Sequence, residues 1–299
     1  MRRASIALGA LLGLLGVGLF TLSQLGSSST GGGKLDVVAA ENFYGDIVSQ
    51  IGGSHVTVTS ILSDPNTDPH LYEPGTANGL AISNAKLVIQ NGAGYDAFMQ
   101  KLEDASPSSQ RVVVTIADVL GVHDANANPH LWYDVPKLTR IARSIATGLE
   151  RADPKHRSAY EAGLARFEAG LQPLVHEVAV IRSTYGGQSV AYTEPVPGYL
   201  LDAAGLRSLT PEPFARAIEG GTDPTPQAVS QMLALFSRHQ VKLLLYNDQA
   251  VSPITTQIKS AAQAAGIPVI GVSETLPSGM SFQQWQLSQA QALERALSR

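Results

Sequence analysis

Seven histidines are spread over the 299 residues, and two of them stand in matching surroundings. His70 lies in Asp68-Pro69-His70-Leu71-Tyr72-Glu73-Pro74, and His130 in Asn128-Pro129-His130-Leu131-Trp132-Tyr133-Asp134. Each has an Asx-Pro turn, the histidine, and an aromatic residue two positions on. Proline fixes φ and stiffens the approach, so the turn aims one imidazole outward. Neutral imidazole is a ligand for zinc, copper, iron, nickel and manganese to differing degrees. Two preorganised imidazoles in matching loops point to metal binding; the bland alternative is a pair of turn histidines. His55, His123, His156, His176 and His239 stand singly and read as surface or structural residues. Two histidines do not close a metal site. Glu194 and Glu274 each follow an apolar, strand-like run, 189–192 and 268–271. Alone, each reads as a helix cap or a solvated charge. Taken together, four such residues from strand ends, two per half of the chain, would meet across one cleft.

The elements that must position them alternate. Apolar runs at 34–40, 55–62, 85–90 and 111–116 read as buried strands, separated by helical or loop segments. The rhythm restarts at 189–192, 208–209, 242–246 and 268–271. Strands separated by helices imply parallel sheets joined by right-handed crossovers. Between the halves, Asp153-Pro154 reads as an N-cap followed by proline at the first helical position. Tyr160, Leu164, Phe167, Leu171, Leu174 and Val175 then recur at helical spacing, with Pro173 as an interruption. The expected architecture is α/β: two lobes of parallel β-sheet flanked by helices, linked by one long rigid helix that limits hinge motion. The bounds are 1–33 for an export segment and tether, 34–152 for an N-terminal metal-binding lobe, 153–183 for the linking helix and 184–299 for a C-terminal metal-binding lobe. Residues 282–297 read as an amphipathic helix covering the C-terminal lobe.

Composition narrows the functions. The net charge is −4, with 15% charged and 44% hydrophobic residues. That balance excludes a disordered chain and leaves no basic excess for nucleic acid. Cysteine is absent, which removes disulfides, thiolate metal sites and an acylated cysteine. Arg2 and Arg3, the apolar run 6–22 and the polar 26–33 form an export signal, either cleaved or retained as an anchor.

The two histidine boxes and the connecting stretch resemble the solute-binding receptors of metal-ion ABC importers, the cluster A-I family that binds zinc or manganese outside the membrane. In that resemblance Glu194, in Thr193-Glu194-Pro195-Val196-Pro197-Gly198, matches the third ligand position and Glu274, in Ser273-Glu274-Thr275, the fourth. The likeness implies one divalent transition metal, Mn²⁺ or Zn²⁺, held by His70, His130, Glu194 and Glu274 as transported cargo. It further implies a monomer on the periplasmic or extracytoplasmic face of the membrane, delivering to a permease driven by a cytoplasmic ATPase. Lacking cysteine, the chain is expected not to be lipidated through one. Glutamate at the third position resembles the manganese-type receptors, and bidentate glutamates would enlarge the shell toward what Mn²⁺ accepts, so Mn²⁺ is favoured with Zn²⁺ close behind. The fourth position is usually aspartate in the family, and the histidine-rich loop of many zinc receptors is missing between His70 and His130. The chain is not expected to be an enzyme. A metal-dependent adhesin and a metallohydrolase are the alternatives; against the second, four protein ligands would fill the position that catalytic zinc keeps open.

Overall fold

The computed structural model describes residues 33–64, 72–124 and 126–299; the expected export signal and His70 lie outside these residues. Four parallel strands, β1 (Leu35–Glu41), β2 (Val56–Leu62), β3 (Leu87–Gln90) and β4 (Val112–Thr115), form one sheet in the order β2-β1-β3-β4. A second parallel sheet, in the order β6-β5-β7-β8, is built from β5 (Ser189–Tyr192), β6 (Arg207–Ser208), β7 (Leu244–Asn247) and β8 (Val269–Val272). The strands therefore fall within a residue or two of the apolar runs, because parallel strands buried on both faces read as continuous apolar segments.

Helices α1 (Asn42–Gly52), α2 (Thr76–Asn84), α3 (Phe98–Ala105), α4 (Ile116–Leu120) and α5 (Leu138–Ala152) accompany the first sheet. With the second come α8 (Gly198–Ala203), α9 (Glu212–Glu219), α10 (Pro226–Ser237), α11 (Pro253–Ala264) and α12 (Phe282–Leu297).

The linking segment differs from the expected single helix. It is two helices, α6 (Arg157–Gly170) and α7 (Gln172–Tyr185), meeting at Leu171. Pro173 is the cause: it offers no N–H to the carbonyl four residues back, yet it is well tolerated in a first helical turn. The buried face keeps its phase across the break, with Tyr160, Phe167 and Leu171 continued by α7. Leu174, Val178 and Ile181 of α7 are buried while Val175 is 44% exposed. Asp153 does not cap the helix through its side chain; its carboxylate instead accepts the Tyr160 hydroxyl at 2.8 Å and pairs with the His156 ring. His156 in turn stacks on His55, with centroids 4.0 Å apart.

Helix α6 packs against α1, most closely at Gly163. A Cβ at Gly163 would land on the Ile51 carbonyl, and a backbone atom cannot swing away as a side chain can. Gly163→Ala is therefore expected to lower stability by about 1–3 kcal/mol or more, the cost of overpacking, as read from a denaturant midpoint. Helix α12 covers both lobes rather than the C-terminal one alone. Phe282 approaches Phe167, with centroids 6.1 Å apart, and Trp285 meets Tyr133 edge to face at 5.8 Å. The largest apolar core runs through buried residues from Leu35 to Leu297 and includes α1, α5, α7 and α12, while smaller clusters lie around Val38, Val88 and Met99 in the first lobe and around Phe214, Met232 and Leu244 in the second.

Candidate metal centre

In both sheets the order of connection reverses between the first strand and the third, the place where open parallel sheets bind ligands. Four buried polar residues mark these two points. Ala39 of β1 pairs with Ile89 of β3, and Tyr192 of β5 pairs with Leu245 of β7. Two residues further on lie Glu41 and Asn91 in the first sheet, and Glu194 and Asn247 in the second. The lobes thus present the same Glu/Asn pair at the same register, and all four residues are fully buried.

The structure brings three of the four expected ligands together. One ligand atom from each of His130, Glu194 and Glu274 lies within 4.8 Å of the others, and all three residues are fully buried. Glu194 leaves β5 directly and Glu274 follows the end of β8. His130 is reached after β4, α4 and a loop, at the start of the one-turn 3₁₀ helix Leu131–Tyr133.

Asn128 fixes the imidazole. Its Oδ1 accepts the His130 backbone N–H at 3.0 Å and faces ring Nδ1 at 2.7 Å, while its Nδ2 donates to the Pro195 carbonyl at 2.7 Å. With Oδ1 so assigned, Nδ1 carries the hydrogen and the neutral ring turns Nε2 toward Glu274 Oε2, 3.3 Å away. A lone pair then confronts a carboxylate, a contact that requires a proton or a metal ion between them. An outer-shell partner on the second ring nitrogen is the usual companion of a metal-bound histidine. Burial disfavours the imidazolium, but the carboxylates of Glu219, Glu274 and Glu194 outweigh it and raise the His130 pKa above its ordinary value.

The glutamates are held by groups that the sequence reading did not single out. Asn247 Nδ2 donates to Glu194 Oε2 and, at 2.7 Å, to Glu274 Oε1. The Tyr95 hydroxyl donates to Glu274 Oε2 at 3.0 Å. Gln249 Oε1 accepts the backbone N–H groups of Glu274 and Thr275. The N-terminal lobe also grips this loop: Tyr133 donates to the Ser273 carbonyl at 2.7 Å, and Asn42 exchanges two hydrogen bonds with Leu276, at 2.8 and 2.9 Å. Trp132, fully buried, stacks on Phe43 with centroids 4.2 Å apart and meets the His130 ring at 5.2 Å. A cleft of about 450 Å³, lined by residues of both lobes including Tyr95, Asn128, Tyr192, Arg216 and Glu219, opens beside the cluster.

Glu41 behaves differently from Glu194. Among the described residues no N–H or hydroxyl donates to its carboxyl, and burial together with the neighbouring Asp96, with which it shares a side-chain hydrogen bond, pushes its pKa well up. Asp96 accepts the N–H groups of Asn91 and Gly92 at 2.6 and 2.8 Å; burial still pushes its pKa to about 6. Asn91 is occupied elsewhere, accepting from Tyr44 at 2.8 Å and donating to the Gly92 and Pro129 carbonyls, each at 2.9 Å. It thereby tethers the loop that carries His130.

Two parallel four-stranded sheets, with a buried imidazole and two carboxylates from both halves placed where they could hold a metal ion, are the architecture of a two-lobed α/β metal-binding receptor. Residues 37–296 match the model of the family described as zinc-uptake complex component A, periplasmic. The chain belongs to this family of solute-binding proteins of metal ABC transporters. It is similar to the metal ABC transporter substrate-binding lipoprotein SloC of Streptococcus mutans, 26% identical over 284 residues that cover 90% of this chain and 88% of the relative. Among solved structures, the periplasmic zinc binding protein TroA from Treponema pallidum superposes with a TM-score of 0.77 at 18% identity, covering 89% of this chain and 100% of that one. The Mn-bound periplasmic metal binding protein from Candidatus Liberibacter asiaticus gives 0.73 at 20% identity, over 88% of this chain and 100% of that one. At these identities the two structures speak for the fold.

Proposed function

We propose that this chain is an extracytoplasmic receptor that captures one divalent transition metal between its lobes and hands it to an ABC permease in the membrane. The observation that carries this reading is the convergence of His130, Glu194 and Glu274, all buried and drawn from both lobes, with the imidazole lone pair aimed at a carboxylate. His70, in the twin of the His130 box, supplies the fourth donor. Four protein donors complete a tetrahedral shell, which suits carriage rather than catalysis, since catalytic zinc keeps one position open. The donor set of imidazole and carboxylate accepts Mn²⁺ as well as Zn²⁺, and the Irving–Williams order places Zn²⁺ ahead in affinity. SloC is named a lipoprotein; this sequence contains no cysteine to carry a thioether-linked lipid, so residues 1–33 serve as the export segment instead.

The test is a titration of metal-stripped protein with Zn²⁺ and Mn²⁺, followed by thermal unfolding. A ligand that binds only the folded state adds about 2.7 kcal/mol of stability at 100 times its dissociation constant. A rise that saturates at one equivalent is the expected result. No rise with any divalent ion removes the receptor reading.

A further inference from the structure

We propose that Asn247 sets the coordination number of the metal centre, and with it a preference for Zn²⁺ over Mn²⁺, by tying down one oxygen of each ligand glutamate. This rests on the receptor reading above and concerns which metal the site selects.

The orientation of the Asn247 amide is fixed by its neighbours. Its Oδ1 accepts the Gln249 backbone N–H at 3.0 Å, so Nδ2 must be the end that faces the carboxylates. Its own backbone N–H donates to Thr193 Oγ1 at 3.0 Å, which anchors β7 beside the residue preceding Glu194. From that position Nδ2 donates to Oε2 of Glu194 and Oε1 of Glu274. An amide nitrogen has two hydrogens, and both are directed at ligand carboxylates. Each carboxylate is thereby held against rotation, with its tied oxygen turned toward the amide. For Glu274 it is the other oxygen, Oε2, that faces the His130 Nε2 atom, while also accepting the Tyr95 hydroxyl.

A glutamate held in this way presents one oxygen to a metal rather than two. Monodentate donors keep the shell small and close to four-coordinate, the number zinc adopts in protein sites, whereas Mn²⁺ is better served by larger, oxygen-rich shells. The manganese preference expected from the sequence depends on bidentate glutamates, and the Asn247 bridge opposes that mode. The N-terminal lobe supplies an internal control. Asn91 occupies the same register as Asn247 but directs its amide to backbone carbonyls and not to Glu41. The fold does not require the asparagine to bridge to a glutamate, so the bridge at Asn247 belongs to the site.

The experiment compares the protein with its Asn247→Ala variant in paired Zn²⁺ and Mn²⁺ competition titrations, and adds X-ray absorption at the zinc edge of the unsubstituted protein. The expected results are a four-coordinate zinc in the unsubstituted protein and a Zn²⁺:Mn²⁺ affinity ratio at least tenfold smaller in the variant. Five or six donors around zinc in the unsubstituted protein overturns the proposal without any variant being made. A ratio unchanged within twofold in a variant that still binds metal overturns it while leaving the receptor reading intact. Absence of binding of either metal by the unsubstituted protein removes both.

Discussion

His130→Ala is expected to weaken metal binding by more than about 100-fold, because losing even an outer-shell partner costs 10–100-fold and this change removes a donor atom. The imidazole is the described donor from the N-terminal lobe, and the turn built on Asn128 holds it in a single tautomer. With it gone, Glu194 and Glu274 keep their bonds to Asn247, and Glu274 its bond to Tyr95, so the fold should survive and only affinity should fall. Calorimetric titration of the metal-free variant reads this directly, and affinity within threefold of the original protein would remove His130 from the ligand set. The same residue sets the pH dependence. The surrounding carboxylates raise its pKa above the ordinary histidine value, so the metal-free protein still holds a proton there at a pH where a solvated histidine has lost it. Binding must displace that proton. Affinity should therefore fall as pH drops through the raised value, by about tenfold per unit for one displaced proton.

The second large effect is on stability. Trp132→Ala is expected to cost about 3–5 kcal/mol, as for other fully buried large aromatics. Trp132 is stacked on Phe43 and meets Tyr95, His130 and Tyr133 at centroid distances of 4.8, 5.2 and 6.4 Å. Truncating it leaves a cavity directly behind the ligand histidine and behind the tyrosine that holds Glu274. A lowered denaturant midpoint should thus be accompanied by weaker metal binding, which a purely peripheral core residue would not give. A midpoint shift worth less than about 1 kcal/mol would show that the site can collapse around the gap.

Most strands were legible because a parallel sheet buried on both faces writes itself as short apolar runs, whereas β6, two exposed residues at the sheet edge, was legible only from the rhythm of the others. Glu194 and Glu274 were legible from their place just past strand ends, supported by the resemblance of the surrounding motifs. Asn247 was not. An asparagine closing an apolar run looks like the start of a turn, and only the register across β5 and β7 shows that it reaches two carboxylates. The matching pair Glu41 and Asn91 is the signal that could have exposed it, but it requires aligning strands rather than reading spacing. The linking segment was legible in part: Pro173 marked the interruption, but not that it divides the helix in two. Side-chain periodicity continues across residues 160–174 whether or not the backbone does, and the break at Leu171 follows from the missing amide hydrogen of Pro173.

The apolar core shared by the two lobes bears on how this molecule comes apart. Two lobes with no core in common would melt in two steps and tolerate being expressed alone. Here Phe43 and Tyr133 of one half pack with Trp285 of the other, so cutting the chain between the sheets would expose the shared core and leave each piece only its smaller cluster. Residues 34–299 should behave as one cooperative unit, with coincident transitions by fluorescence and circular dichroism. For the same reason, giving up a bound ion need not involve swinging the halves apart. The low-cost movement is local, in the short loop around Glu274, whose grip on the first lobe is a handful of hydrogen bonds that a docking surface could replace.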